Sequence, residues 1–554
     1  MSIATEVSTD HLWKHLEAIC QWERYTGTPG EAQAVEYIAR ELSALGIDVK
    51  IHELDALISI PGKTSLDILG EPPEHIPAIT AVFGASTGVA GVTGDAVYVG
   101  EALAPEGPVA GRIIVAERML SPGRFYVFEQ AGAIGQVYVN MGVAHEMTVS
   151  TIWGSPTPES VGRLPATPVV TLSREQGQGL IDLIKSKHEV QLRIHAQIDT
   201  RWRKTTMPVA TIPPPSVSKE YVLVAGHIDS WQFGANDNGA GDTTLMELAR
   251  VIHGRRNELK RGLRVAWWNG HSHGRFSGST WYSDHMFEDL RSNCAAYLNI
   301  DQPGCRQCTI YRPFCTADIS AWVKDAVSRL GGQETVPENP RKIADQSFWG
   351  VGIPSFSFLP VLPPEAPDLQ KDHPEGGFPE YWHNPADTLD KMDKDLLTEH
   401  TRLYAGALLE LCTAERFPLD PRSTADAIDQ ALVGLNERAG GAFDFGPAFN
   451  AAERFRKSAE SMMEKAKAVD PEALNLAARR ISHALNAVLY TQQGPFDHDP
   501  ASGAQVLPSL SRVDDFLEAG SKTHEGRVLY TRLVRERNRA CAALIEAARI
   551  AESV

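Results

Sequence analysis

A histidine and a carboxylate two residues apart sit in Gly226-His227-Ile228-Asp229-Ser230, and Asp237 follows in Gly234-Ala235-Asn236-Asp237-Asn238-Gly239. Further along, Gly270-His271-Ser272-His273-Gly274 brings two more imidazoles. Asp301 ends Tyr297-Leu298-Asn299-Ile300-Asp301, and His383 stands in Tyr381-Trp382-His383-Asn384-Pro385-Ala386-Asp387-Thr388. Imidazole nitrogens and carboxylate oxygens are the donors that hold zinc and similar divalent ions. Two of these segments come just after apolar runs, Tyr221-Val222-Leu223-Val224-Ala225 and Leu263-Arg264-Val265-Ala266-Trp267-Trp268, which read as buried strands. Open α/β sheets bind ligands on loops at the carboxyl ends of such strands. A lone histidine or aspartate there is an ordinary polar loop residue. Four such positions, all histidine or carboxylate, are better explained by a metal centre.

The order His-x-Asp, Ala-x-Asp-Asn, Asn-x-Asp and a late His followed by Asp-Thr resembles the co-catalytic zinc aminopeptidase and glutamate carboxypeptidase family. The resemblance implies two zinc ions held by His and Asp, one Asp bridging them, and a Glu-Glu pair supplying the general base and a further ligand. Carried over by position, His227 and Asp301 hold one metal, Asp237 bridges, and His383 holds the second. Asp229 becomes the carboxylate that orients His227, as carboxylates commonly do for ligating histidines. Asp387 and Asp390 match the acidic pattern after the late histidine.

Where the family has Glu-Glu-x-Gly, this chain has His271-Ser272-His273-Gly274, followed by Arg275-Phe276-Ser277-Gly278-Ser279. In one register His271 takes the base position and Ser272 the ligand position; with the loop one residue longer, His273 reaches the metal instead. Serine is a poor zinc ligand, whereas imidazole, with an ordinary pKa of about 6.5, can serve as base or ligand. One or two divalent ions, with zinc expected, are therefore compatible with this loop. A metal ion lowers the pKa of water and polarises a carbonyl, which is what amide hydrolysis needs. The expected activity is metal-dependent hydrolysis of a peptide or small amide, with His271 as base. A small-molecule amidohydrolase, and a binding protein that has lost the chemistry as the transferrin receptor has, stand as alternatives. Arg275 could receive a substrate carboxylate bidentately, and Trp382 could wall the pocket beside His383.

The elements that must position these groups come next. Residues 1–55 carry two helical segments, with Thr28 as N-cap of the second and Glu31 completing a capping box. Residues 56–206 change to short Val- and Ile-rich runs between Gly and Pro turns, resembling the protease-associated domain inserted in glutamate carboxypeptidase and the transferrin receptor. Residues 207–417 alternate strand-like and helix-like segments, which predicts an α/β unit with a mostly parallel sheet and helices on both faces. A Pro- and Gly-rich stretch over 360–382 is long for a loop and predicts a lid or substrate wall before His383. Residues 418–554 are helical almost throughout and resemble in placement the family's dimerisation domain, which implies a homodimer.

Composition bounds the partners. The net charge of −17 argues against nucleic acid and anionic membrane. The opening residues have neither the basic nor the apolar region of a signal peptide, so a cytoplasmic protein is expected. Seven cysteines do not make a disulfide framework; Cys305, Cys308 and Cys315 read as buried thiols rather than half a zinc site, since no second pair has matching spacing.

Overall fold

The computed structural model describes residues 3–187, 189–500 and 506–554. Its central strands are apolar on both faces, and the pleat sends alternate residues into two different cores. In Tyr221–His227, Val222 and Val224 enter one core while Tyr221, Leu223 and Ala225 enter the other. In Gly262–Trp268, Leu263, Val265 and Trp267 enter the first, Ala266 and Trp268 the second. Strands patterned in this way must lie between two layers of helices. Ser355–Val361, Cys294–Asn299, Tyr221–His227 and Gly262–Trp268 run side by side and parallel. Ile310–Cys315 and the end of Gln191–Ile212 border them in the antiparallel sense. Helices Thr9–Ile19, Pro29–Ala44, Ala240–Gly254 and Lys394–Thr413 cover one face, and Ser277–His285 with Phe287–Asn293 cover the other. This is the mostly parallel α/β sheet that the alternation of segments predicts.

Two long strands, Asp48–Ile68 and Gln191–Ile212, pair antiparallel from Asp48 opposite Thr211 to Ile68 opposite Leu192. They leave the central sheet and carry a second set of strands, Val92–Gly100, Ile113–Glu117, Gly135–Val139 and Val169–Leu172. That set has its own cores, one around Phe125, Phe128 and Tyr138 and the other around Val115, Val137 and Leu192. The borders expected after residues 55 and 206 therefore fall inside continuous strands: the ribbon crosses from one core to the other with one register shift, between Pro61 and Thr64.

One local expectation is corrected. Thr28 is the N-cap of Pro29–Ala44, but its side chain makes no capping bond and its hydroxyl donates to the Tyr25 carbonyl at 2.6 Å. Glu31 instead accepts from the Gly27 amide at 2.7 Å and the Thr205 hydroxyl at 2.9 Å. The tie to Thr205 on the long strand outweighs the local box.

Beyond the sheet, Pro421–Ala439, Gly446–Lys465, Pro471–Leu489, Val513–Ala519 and His524–Glu552 form a helical region. Its apolar faces continue the core of the α/β unit. Polar ties reinforce the join: Arg479 pairs with Glu220 at 2.7 Å, and the Asn486 amide donates to Asp318 at 2.9 Å. No described helix is long and apolar enough to cross a membrane. All seven cysteines are free, and the Cys305 thiol meets the Tyr381 hydroxyl at 2.9 Å.

Candidate metal centre and cavity

The candidate ligands arrive from strand ends and from one helix start. His227 is the last residue of its strand, and Asp301 lies two residues past Cys294–Asn299. Asp237 sits in the irregular turn Ala235–Gly239 that opens helix Ala240–Gly254. Buried Asp387 fixes that turn by accepting from the amides of Asn236 at 2.8 Å and Asp237 at 3.0 Å. Burial pushes the Asp387 carboxyl up to about 7, with those two amides pulling the other way. Asp390, by contrast, is exposed, bonds to its neighbours Thr388 and Lys391, and lies 3.8 Å from the Arg306 guanidinium.

His227, Asp237 and Asp301 each bring one ligand atom within 4.8 Å of the others. His227 Nε2 lies 3.0 Å from Asp237 Oδ1 and 3.7 Å from Asp301 Oδ1. The Nδ1 of His227 is 2.8 Å from the carbonyl oxygen of Asp229, which can only accept, so Nδ1 carries the hydrogen. A neutral His227 then turns its Nε2 lone pair toward two carboxylates. All three atoms are buried and without a hydrogen-bond partner, and buried polar groups of this kind are normally satisfied. A cation among them satisfies all three at once. Without one, a proton has to serve. Burial opposes charge on His227, but Asp237 and then Asp301 outweigh it and raise the imidazole pKa well above its ordinary value.

His383 stands on the opposite side of Asp237, its Nε2 3.1 Å from Oδ2. Its Nδ1 meets the carbonyl oxygen of Glu146 at 2.7 Å, so the strand-rich insert orients this histidine. Burial lowers the His383 pKa, outweighing Asp237. Trp382 stacks on His383 at 3.5 Å between ring centroids, and Phe378 stacks on Trp382 at 5.1 Å. His383 itself has φ of 57°, a left-handed conformation that costs a non-glycine residue about 1–2 kcal/mol.

The loop after Gly262–Trp268 separates its two histidines. His271 lines the cavity and stacks on His227 at 3.8 Å between centroids. Its Nδ1 is 2.7 Å from Asp345 Oδ2, and a carboxylate accepts, so Nε2 is the basic nitrogen. Asp345, 1% exposed, also accepts from Ser279 at 2.8 Å; Ser279 meets Ser347, which accepts from the Trp153 indole. His273 goes elsewhere. It is fully buried, with Nδ1 3.4 Å from Asp229 Oδ2 and its ring between Tyr25 and Trp231. The structure therefore does not bring His273 to the ligand cluster or the cavity, because Asp229 draws its ring inward. Asp229 is the hub of the loop: it also accepts from the amides of His271 at 2.9 Å and Ser272 at 3.2 Å. Burial alone would raise its pKa, but His273 and His227 hold it well below the usual carboxylate range. Asp229 thus braces the loop and, through its backbone carbonyl, His227.

Beside the cluster lies a cavity of about 250 Å³. Met147, Phe276, Phe314, Leu359, Phe378 and Trp382 supply apolar wall, with Met147 coming from the insert and Phe378 and Trp382 from the long loop. Among the described residues the only carboxylates on its lining are Asp237 and Asp301, whereas Arg275, Arg341 and Lys342 are all cationic. Arg341 pairs with Glu338 and Lys342 with Asp499, each at 2.6 Å. Arg275 has no ion-pair partner among the described residues. It is 9% exposed, donates from Nε to the Ser150 carbonyl at 3.1 Å, and lies over the Phe276 ring at 4.6 Å. Burial pushes its pKa down to about 10, with Asp345 opposing. Arg275 and Phe276 have φ of 52° and 68°, and amides from Phe276 and Ser277 to the Gly270 carbonyl close this strained turn.

Sequence reasoning missed Asp345 and Glu146, and most of the apolar wall. Nothing in Ile343-Ala344-Asp345-Gln346-Ser347 marks a functional residue: it is a loop without periodicity, brought in only by folding. Trp267, which flanks the loop in sequence, is core, and Trp281 stacks on His285 away from the cavity.

Residues 209–408, which carry every candidate ligand, match peptidase family M28. The chain is 24% identical over 420 residues to aminopeptidase YwaD of Bacillus subtilis, spanning 71% of this chain and 82% of that protein. It is 23% identical over 354 residues to the probable glutamate carboxypeptidase VP8 of Zea mays, spanning 52% of this chain and only 49% of that one. Among solved structures, BSAP, a zinc aminopeptidase from Bacillus subtilis, has a TM-score of 0.57 at 20% identity and covers 74% of this chain and 98% of its own. A peptidase M28 precursor from Shewanella amazonensis SB2B has a TM-score of 0.58 at 19% identity, covering 74% and 95%. At these identities the structural likeness establishes the fold. Over residues 209–408 the chain is similar to peptidase family M28.

Proposed function

We propose that this protein is a metal-dependent hydrolase of peptide or amide bonds, with zinc as the ion and His271 as general base. The observation that carries the reading is the buried, unpartnered trio His227 Nε2, Asp237 Oδ1 and Asp301 Oδ1 beside a cavity that His271 also lines. The zinc aminopeptidase relatives support the choice of ion. A divalent ion held there supplies a water of lowered pKa, about 7, and polarises a carbonyl. The chain's own residues do the rest. His271 Nε2 takes the proton of the attacking water and returns it to the leaving amine, as an imidazole acting as general base and then general acid does. Trp382 and Phe378 wall off bulk water. Screening aminoacyl, N-acyl and dipeptide amides, with elemental analysis of the same protein, tests the reading; metal-free protein with no hydrolysis of any amide would sink it.

Asp345 holds His271 in the tautomer whose free nitrogen is Nε2. Replacing Asp345 by alanine is expected to lower kcat roughly ten- to hundredfold, on the usual worth of a carboxylate that orients a functional histidine. KM and metal content should stay near wild type. A KM effect without a kcat effect would show that Asp345 shapes the cavity rather than the base.

Arg275 receives a carboxylate of the substrate, since it is the buried cation on the cavity wall that lacks an anion. Replacing it by glutamine should raise KM for carboxylate-bearing amides by about ten- to hundredfold, from a charge-assisted bond of about 1.5–3 kcal/mol. Uncharged amides should be nearly unaffected, and equal losses on both substrate types would refute the assignment.

A further inference from the structure

The two oxygens of Asp237 face different surroundings, and the difference bears on how many ions the centre holds. On the Oδ1 side three protein atoms converge without hydrogen-bond partners, from His227, Asp237 and Asp301. On the Oδ2 side stands a single further nitrogen, His383 Nε2 at 3.1 Å. Among the described residues no third ligand atom gathers with Asp237 Oδ2 and His383 Nε2. His273 is buried against Asp229, away from the cavity. His271 is tied to Asp345 and stacked on His227. Glu146 accepts from the Gln232 amide at 3.2 Å through Oε1, its Oε2 is buried without a partner, and it meets His383 through its backbone carbonyl. Ser272 lines the cavity, but its neutral hydroxyl is a poor partner for a divalent ion. Among the described residues, no other group of three histidine, cysteine or carboxylate ligands gathers anywhere in the protein. Zinc held by protein takes three ligands and one open position at a catalytic site, or four at a structural one; two are too few for tight binding.

We infer that the centre holds one divalent ion per chain, on the His227–Asp237–Asp301 side, and that Ser272 is what keeps the second side of Asp237 free of metal. His383 then acts on Asp237 as a neighbour that orients it, not as a ligand. This rests on the metal-dependent reading above and adds to it a stoichiometry and a determinant.

The test uses full-length protein stripped with chelator, dialysed against zinc alone and measured by elemental analysis and calorimetric titration. Wild type should retain one zinc per chain. His383→Ala should still retain one, His227→Ala should retain none, and Ser272→Glu, which puts a carboxylate on the cavity lining that His383 shares, should retain two. Circular dichroism and melting confirm that each variant is folded. Two zinc ions per wild-type chain, or loss of zinc in a folded His383→Ala, would overturn the inference while leaving a metal-dependent hydrolase intact. No zinc in the wild type would overturn the hydrolase reading itself.

Discussion

Asp237→Asn should abolish tight zinc binding and lower turnover by about a thousandfold or more, the loss expected when several kcal/mol of metal-assisted stabilisation disappear. The side chain is 4% exposed and is the member of the cluster that faces both histidines, through Oδ1 to His227 and Oδ2 to His383. Burial works to raise its pKa, but the neighbouring His227 and His383 hold it well below the usual carboxylate range. The amide of asparagine keeps the shape and removes the carboxylate charge. Its backbone stays pinned by Asp387, so the fold should survive. Elemental analysis, turnover and thermal melting on one preparation separate the outcomes. A variant that binds zinc as wild type and retains more than about a tenth of turnover would place the metal elsewhere.

The second large effect is expected at the altered loop. His271→Ala should lower turnover by roughly a hundredfold or more, the usual contribution of a general base, with zinc content unchanged. Ring stacking on His227 and the bond to Asp345 put the free nitrogen at the cavity without making the ring part of the ligand cluster. His273→Ala supplies the contrast. Its ring lies behind Asp229, so zinc should be retained and any change should appear first as lower thermal stability, from the space left beside Tyr25 and Trp231. Equal zinc loss in both variants would mean that the loop is a ligand loop after all. Full activity in both would remove it from the chemistry altogether.

The α/β architecture and the group of ligand candidates were legible in the order of residues alone. Apolar runs such as 221–225 and 263–268 mark strands because a strand buried on both faces has little else to be made of, and the loops that follow inherit a place at the sheet's edge. His227, Asp237 and Asp301 could therefore be grouped before any coordinates, from residue type and position. The loop His271-Ser272-His273 was legible only as a departure: two imidazoles in adjacent turns of a loop have no periodicity to say which faces the site. That was decided by Asp229, buried beneath the loop, which takes the two backbone amides and the His273 ring and so leaves His271 facing outward. Asp345 could not be found at all in sequence, because its partner lies 74 residues away and nothing local depends on it. Arg275 was offered by the sequence as a candidate for a substrate carboxylate, but its burial, with no ion-pair partner among the described residues, depends on Ser150 and Trp153 of the insert. Local pattern thus fixes where strands end and which side chains are offered there, since both depend on neighbours in the chain. Which of them turns into the cavity, and which stays without a partner, depends on groups distant in sequence, and only tertiary packing brings those together.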